Sequence, residues 1–286
     1  MQKRRLFILA AALALIAAPA AAKPAARPVA RPAAVIPLEP YVDNDHLAFR
    51  GRIGGVQGLF QFDTGGGITV ITPPAAEAAR CRPWGRLTGF RMRGDRIDAP
   101  RCDGIAITAA GARLAPATTL VVDFSKFLPK DAPPLLGSVG LDAFGKRPVT
   151  LDISGRRLIV ETPASLKARI AHATEVPVQV VWEAEGYAPS VMAGLDTPSG
   201  RVWFTIDSGS DGAVIVGKHV AALFGLDPDK KGAQPFDGKL AGGVPLKATS
   251  HVADLILDGN IGAPVLRRWV VTFDVAHGRM WLAPVH

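Results

Sequence analysis

The sequence predicts a mostly β protein folded as two similar lobes with a cleft between them. Three observations predict it. Short alternating apolar runs such as "TTLVVDF" and "HVADLIL" fall between Gly and Pro punctuation along most of the chain. Two stretches with the same layout around an Asp recur in order, and a second pair of matching stretches follows them, one in each half. With 286 residues and 48% hydrophobic content, the chain is long enough to give each of two modest domains a core of its own.

The chain begins with Lys3, Arg4 and Arg5, an apolar run from Leu6 to Ala18, and the small residues Ala20, Ala21 and Ala22. A basic start, an apolar centre too short to span a bilayer and an A-x-A site predict a signal peptide over residues 1–22. The mature protein is then expected to be periplasmic or secreted. Residues 23–38 repeat Pro at 24, 28, 32 and 37 among Ala and Arg, which predicts an extended tether. Loss of the leader removes three cations and takes the formal net charge from +8 to +5. What remains is diffuse, apart from "GFRMRGDR" at residues 89–96, and no basic helix or aromatic-interleaved patch argues for nucleic acid. No Cys follows the leader to carry a lipid, so no stable membrane insertion is expected.

Cys81 and Cys102 are the two cysteines. An even count in an oxidising compartment predicts a disulfide, the alternative being two separate buried thiols. Closing a loop of about twenty residues stabilises by on the order of 3 kcal/mol. The six His are scattered, with no ligand spacing to one another or to a Cys, and no metal site is expected.

Residues 47–66, "LAFRGRIGGVQGLFQFDTGG", align without a gap to residues 191–210, "VMAGLDTPSGRVWFTIDSGS", at an offset of 144. Each reads as a strand, a Gly-containing turn and a second strand running into Asp-(Thr/Ser)-Gly. Residues 139–160, "VGLDAFGKRPVTLDISGRRLIV", align to residues 261–282, "IGAPVLRRWVVTFDVAHGRMWL", at an offset of 122. The first copy therefore carries 22 additional residues in its middle, and both cysteines lie there. The lobes are placed at residues 39–162 and 178–286, with residues 163–177, helix-like at their centre and bounded by Pro163 and Pro177, as linker. Helix is otherwise expected only in "TPPAAEAARC" and "VGKHVAALFGL", one after each Asp motif.

Phe60 and Phe62 in one copy, and Phe204 and Ile206 in the other, alternate inward and anchor the two strand ends. Asp63 and Asp207 then meet at the seam between the lobes. Gly65 and Gly209 leave no Cβ to block a close approach, and Thr64 and Ser208 offer short hydroxyls that can hydrogen-bond backbone across the seam. Two carboxylates held that close share one proton, so one is acid and the other base. Such a pair can activate water against a carbonyl with no metal and no nucleophilic side chain. Asp152 and Asp274 also recur, but each precedes a turn and is expected to cap its own backbone. No phosphate loop, dinucleotide fingerprint or nucleophile elbow appears, and no cofactor is implied.

"FDTGG" and "IDSGS", each followed by an apolar-Gly segment ("SVGLDAF", "NIGAPVL") and a closing strand, resemble the bacterial retropepsin-like aspartyl proteases over nearly all of residues 40–284. The resemblance implies two retropepsin-like (acid protease) β-barrel lobes fused in one monomeric chain, similar in outline to pepsin. It implies Asp63 and Asp207 as the catalytic pair of an aspartic endopeptidase, Thr64 and Ser208 as cross-braces, and a peptide or protein as substrate. Two features depart from the family: Gly66-Gly67 stands where Ala or Ser is commoner, and neither Tyr41 nor Tyr187 is placed as a flap tyrosine. Flap hairpins are expected at Gly89 and Gly94 in the first copy and at Gly242 and Gly243 in the second, because a hairpin over a cleft needs Gly hinges. The alternative is a bilobal protein that binds an extended peptide or an envelope component with an inactive pair.

Overall fold

The computed structural model describes residues 30–123 and 128–285. The predicted signal peptide and the tether up to residue 29 lie outside the described residues.

Each lobe is built on the same four-strand motif. In the first, Asp43–Ile53 pairs antiparallel with Val56–Phe62, which pairs in parallel with Leu135–Val139, and Val70–Ile71 runs antiparallel to that strand. In the second, Ala188–Thr197, Gly200–Asp207, Gly259–Gly262 and Val214–Gly217 repeat the same directions and order. Period-two patterning explains why these runs form half-buried strands. Phe60 and Phe62 turn inward beside Phe49 and Phe144, while Phe204 packs on Phe224 and Phe236. The Asp that ends each central strand is thus fixed by two inward aromatic or aliphatic anchors.

The helix after the first Asp motif, Pro73–Ala78, starts where Thr72 accepts a hydrogen bond from the Ala75 amide and Pro73 supplies a preset φ. Its counterpart after the second motif, Lys218–Phe224, is a 3₁₀ helix closed by Gly225 in the left-handed region. Cys81, just past the first helix, is bonded to Cys102, with Cα atoms 6.1 Å apart. Cys102 lies on strand Arg96–Asp103, so the bridge ties that strand to the helix end.

A six-stranded sheet joins the lobes, in the order Ala34–Pro37, Arg157–Val160, Val149–Asp152, Trp269–Asp274, Arg279–Pro284, Thr174–Val176. At its centre Val149–Asp152 and Trp269–Asp274 run antiparallel, with Thr150 opposite Thr272. Two expected boundaries are corrected here. Residues 34–37, expected as tether, form an edge strand because Ile36 points into the core at 1% exposure while its neighbours stay outside. The expected linker holds a helix, Pro163–Ile170, opened by a capping box between Thr162 and Ser165, and its end, Thr174–Val176, supplies the opposite edge strand. Asp152 caps the Gly155 amide as expected and pairs with Arg157, whereas Asp274, also expected to cap its own backbone, caps none and contacts the His277 ring instead.

Candidate active site

The two Asp-containing loops meet as reciprocal partners about the joint between the lobes. The Thr64 amide donates to Ser208 Oγ at 3.0 Å, and the Ser208 amide donates to Thr64 Oγ1 at 3.0 Å. Each hydroxyl then donates to the opposite strand, Thr64 to the Ile206 carbonyl at 2.7 Å and Ser208 to the Phe62 carbonyl at 3.2 Å. Four buried backbone groups that no sheet ladder serves are satisfied this way, and the same bonds fix the spacing of the loops.

The glycines set how near the carboxyls come. A Cβ on Gly65 would lie 2.2 Å from Asp207 Cγ, and one on Gly209 would lie 2.5 Å from Asp63 Cγ. Any side chain at either position would displace the carboxyl of the other lobe. Beneath the loops pass the two apolar-Gly segments: a Cβ on Gly140 would meet the Gly67 carbonyl at 2.5 Å, and one on Gly262 would meet the Gly212 carbonyl at 2.0 Å.

The two carboxyls are not equivalent. Asp63 is half-buried, and its Oδ1 accepts amide hydrogens from both Gly65 and Gly66 at 2.9 Å. Asp207 is buried; its Oδ1 accepts from the Gly209 amide at 2.9 Å and its Oδ2 from Asn260 Nδ2 at 2.6 Å. Burial, and next the neighbouring Asp63, push the Asp207 carboxyl up to about 8, against a smaller opposing pull from the Asn260 hydrogen bond. Desolvation favours the proton on Asp207.

Behind the first loop sits Asp142. It accepts from the Thr69 amide at 2.9 Å and the Thr69 hydroxyl at 2.6 Å, and that hydroxyl accepts in turn from the Gly140 amide at 3.2 Å. This bracing ties down the chain that follows Gly66-Gly67. Desolvation raises the Asp142 carboxyl to about 7.

Gly89 and Gly94 lie in the hairpin formed by Trp84–Phe90 and Arg96–Asp103, whose tip reaches the second lobe. There the Ile256 amide donates to the Met92 carbonyl at 3.0 Å, and a Cβ on Gly94 would sit 3.2 Å from Ile256 Cγ2. Lower on the hairpin, the Arg101 guanidinium lies 4.0 Å from the Trp84 ring centroid and 5.7 Å from that of Tyr187, and pairs with Glu185 at 3.7 Å. A cavity of about 420 Å³ opens between Arg93 at the tip and Asp211, Ile215 and His251 of the second lobe. Gly242 and Gly243 are placed elsewhere, which corrects the expectation of a second flap. Their turn folds back on its own lobe, where the Ala241 amide donates to the Gly194 carbonyl at 2.7 Å and a Cβ on Gly242 would meet the Glu175 carbonyl at 2.7 Å.

The sequence alone does not single out Asn260, Asp142 or the Arg101 cluster. Asn260 was visible as a polar residue in a segment expected to be apolar. Arg101 and Tyr187 carry no local signal, since their meeting depends on how the lobes close. Among the described residues no group of three or more His, Cys, Asp or Glu is placed to hold a metal ion, and no helix is long and apolar enough to cross a membrane.

Fold and loops together define a bilobal β protein of the acid-protease architecture. No family model matches the chain, and no curated protein matches it. Among solved structures, the basic 7S globulin from soybean, whose fold is pepsin-like, is similar at a TM-score of 0.58 and 12% identity, over 87% of this chain and 94% of that one. At that identity the likeness concerns the fold alone.

Proposed function

We propose that the protein is an aspartic endopeptidase that works outside the cytoplasm as a monomer and hydrolyses peptide or protein substrates through Asp63 and Asp207. The observation that carries this reading is the reciprocal bracing of Thr64 and Ser208, which holds two unequally buried carboxyls against each other. Asp63, its Oδ1 engaged by two amides, is the base and takes a proton from water. The water oxygen attacks the scissile carbonyl carbon while Asp207 gives its proton to the carbonyl oxygen. Collapse of the resulting diol returns a proton to Asp207 and delivers one to the departing nitrogen, and the pair regains its starting state. The hairpin ending at Met92 covers the cleft from the first lobe and offers strand edges to an extended peptide.

The test uses the chain from residue 23 onward with a diverse peptide library from pH 3 to 9, beside Asp63→Asn and Asp207→Asn. Cleavage abolished by either substitution supports one shared pair. Folded protein that cuts nothing, or cutting that survives both substitutions, overturns the protease reading and leaves a cleft that binds without cutting.

A further inference from the structure

We propose that Asn260 is a positioning residue that makes the two carboxyls unequal, by holding Oδ2 of Asp207 with its side-chain amide so that the proton of Asp207 faces Asp63. The inference rests on the acid and base roles assigned above.

The geometry is specific to one lobe. Asn260 is 1% exposed, and Nδ2 donates to Asp207 Oδ2 at 2.6 Å. It sits on strand Gly259–Gly262, paired in parallel with the strand that ends in Asp207, with Thr205 as its direct neighbour. Ser138 occupies the matching place in the first lobe, opposite Gln61 on the strand that ends near Asp63. Ser is too short to reach as Asn does, and Ser138 makes no side-chain hydrogen bond among the described residues. The duplicated frame therefore repeats the strand pairing and differs in the side chain placed at this position.

With Oδ1 of Asp207 engaged by the Gly209 amide and Oδ2 by Asn260, both oxygens are held in plane and the carboxyl cannot rotate to bury its proton away from the seam. The groups acting on Asp207 are its burial, Asp63, Asn260 and the Gly209 amide, with no cation among them. Asn260 is thus the only side chain in that set that stabilises the ionised form, and it keeps a deeply desolvated acid able to release its proton. The far end of Asn260 is also telling. Its Oδ1 and the hydroxyl of the adjacent Thr205 are both buried and both without a protein partner. A buried amide that leaves its own oxygen unpaired while its nitrogen engages Asp207 is held there by the carboxyl rather than by a wider structural network.

The test follows from composition. Asn44 and Asn260 are the only asparagines in the chain, so ¹⁵N-asparagine labelling of the full mature protein yields two side-chain amide signals. One of the two is expected to shift between pH 3 and 9 as the carboxyl pair titrates, and to stop shifting in Asp207→Ala, which removes the carboxyl and adds no asparagine. In Asn260→Ser, which installs the first-lobe residue, the upper limb of the pH–rate profile is expected to move up by about one pH unit with KM unchanged. Two amide signals that ignore pH, or a shift that persists in Asp207→Ala, overturn the inference even if Asn260→Ser fails to fold. A titrating Asn260 amide in a protein that cuts no peptide supports the positioning and sinks only the protease reading.

Discussion

Thr150 and Thr272 meet hydroxyl to hydroxyl at 2.9 Å across the two central strands of the six-stranded sheet, and they are the same residue of the two repeats. The single proton of the Thr150 hydroxyl goes to Glu161 Oε1 at 2.8 Å, so Thr272 is the donor between them. The local twofold axis of the molecule passes by this pair, and the asymmetry begins at once with Glu161.

Glu161 has a fully buried side chain, and its charge is matched by Arg169 Nε at 2.7 Å with added hydrogen bonds from Thr150 and Ser165. Arg169→Ala is expected to destabilise by about 3 kcal/mol, because it leaves a buried carboxylate unpaired. Adding Glu161→Gln should recover part of that loss. Denaturant unfolding of the two variants at neutral pH checks it.

Thr64→Val keeps the shape of the side chain and removes the hydroxyl that serves the Ser208 amide and the Ile206 carbonyl. At about 1–3 kcal/mol for each buried group left unsatisfied, a loss of roughly 3 kcal/mol is expected. Adding Ser208→Ala should cost less than its effect alone, since both act in one brace. Thermal unfolding of the double-mutant cycle measures the coupling, and additive losses would show the two hydroxyls to be independent.

Stability should fall as pH rises. The carboxyls of Asp207 and Asp142 are raised to about 8 and about 7 in the folded chain, from a reference of 3.8. The folded state binds these protons more tightly, so its advantage is complete below about pH 4 and is lost as pH climbs through the raised values. Tm is expected to be higher at pH 5 than at pH 8.5, and Asp207→Asn should raise Tm at pH 8.5. A Tm that climbs steadily over this range would contradict the sign.

Reduction of Cys81–Cys102, which closes a sequence separation of 21, is expected to cost about 3 kcal/mol. Since Cys102 lies on the hairpin strand, proteolytic nicking of the reduced protein should fall first between residues 82 and 101. Limited proteolysis with mass mapping, with and without reductant, reads this directly.

The Asp loops were legible because their chemistry is local: Phe60 to Gly65 and Phe204 to Gly209 carry the same inward alternation, carboxyl and glycine in each half. The disulfide and the capping of its own turn by Asp152 were legible for the same reason, while the contact of Asp274 with the His277 ring in place of a backbone cap was not. The edge strands were not. Ile36 and Val176 are each the one buried residue in strands of four and three residues, which is too little pattern to separate from Pro-flanked coil. The folded-back turn at Gly242 was hidden too, since the same Gly hinge serves a flap or a turn clamped under Glu175, and only packing decides. Asn260 acts through a residue 53 positions away, a relation that no window along the chain displays.

The register of Thr150 against Thr272 has one further implication. An antiparallel pair centred on one residue that faces its own equivalent is the contact that two identical subunits make across a twofold axis. A first half expressed alone, residues 30–162, would leave strand Val149–Asp152 as an open edge with unpaired backbone groups, and the partner that best fits such an edge is a second copy of itself. The covalent joining of the halves keeps that edge from recruiting strangers, and it lets equivalent places carry different residues, Ser138 in one half and Asn260 in the other.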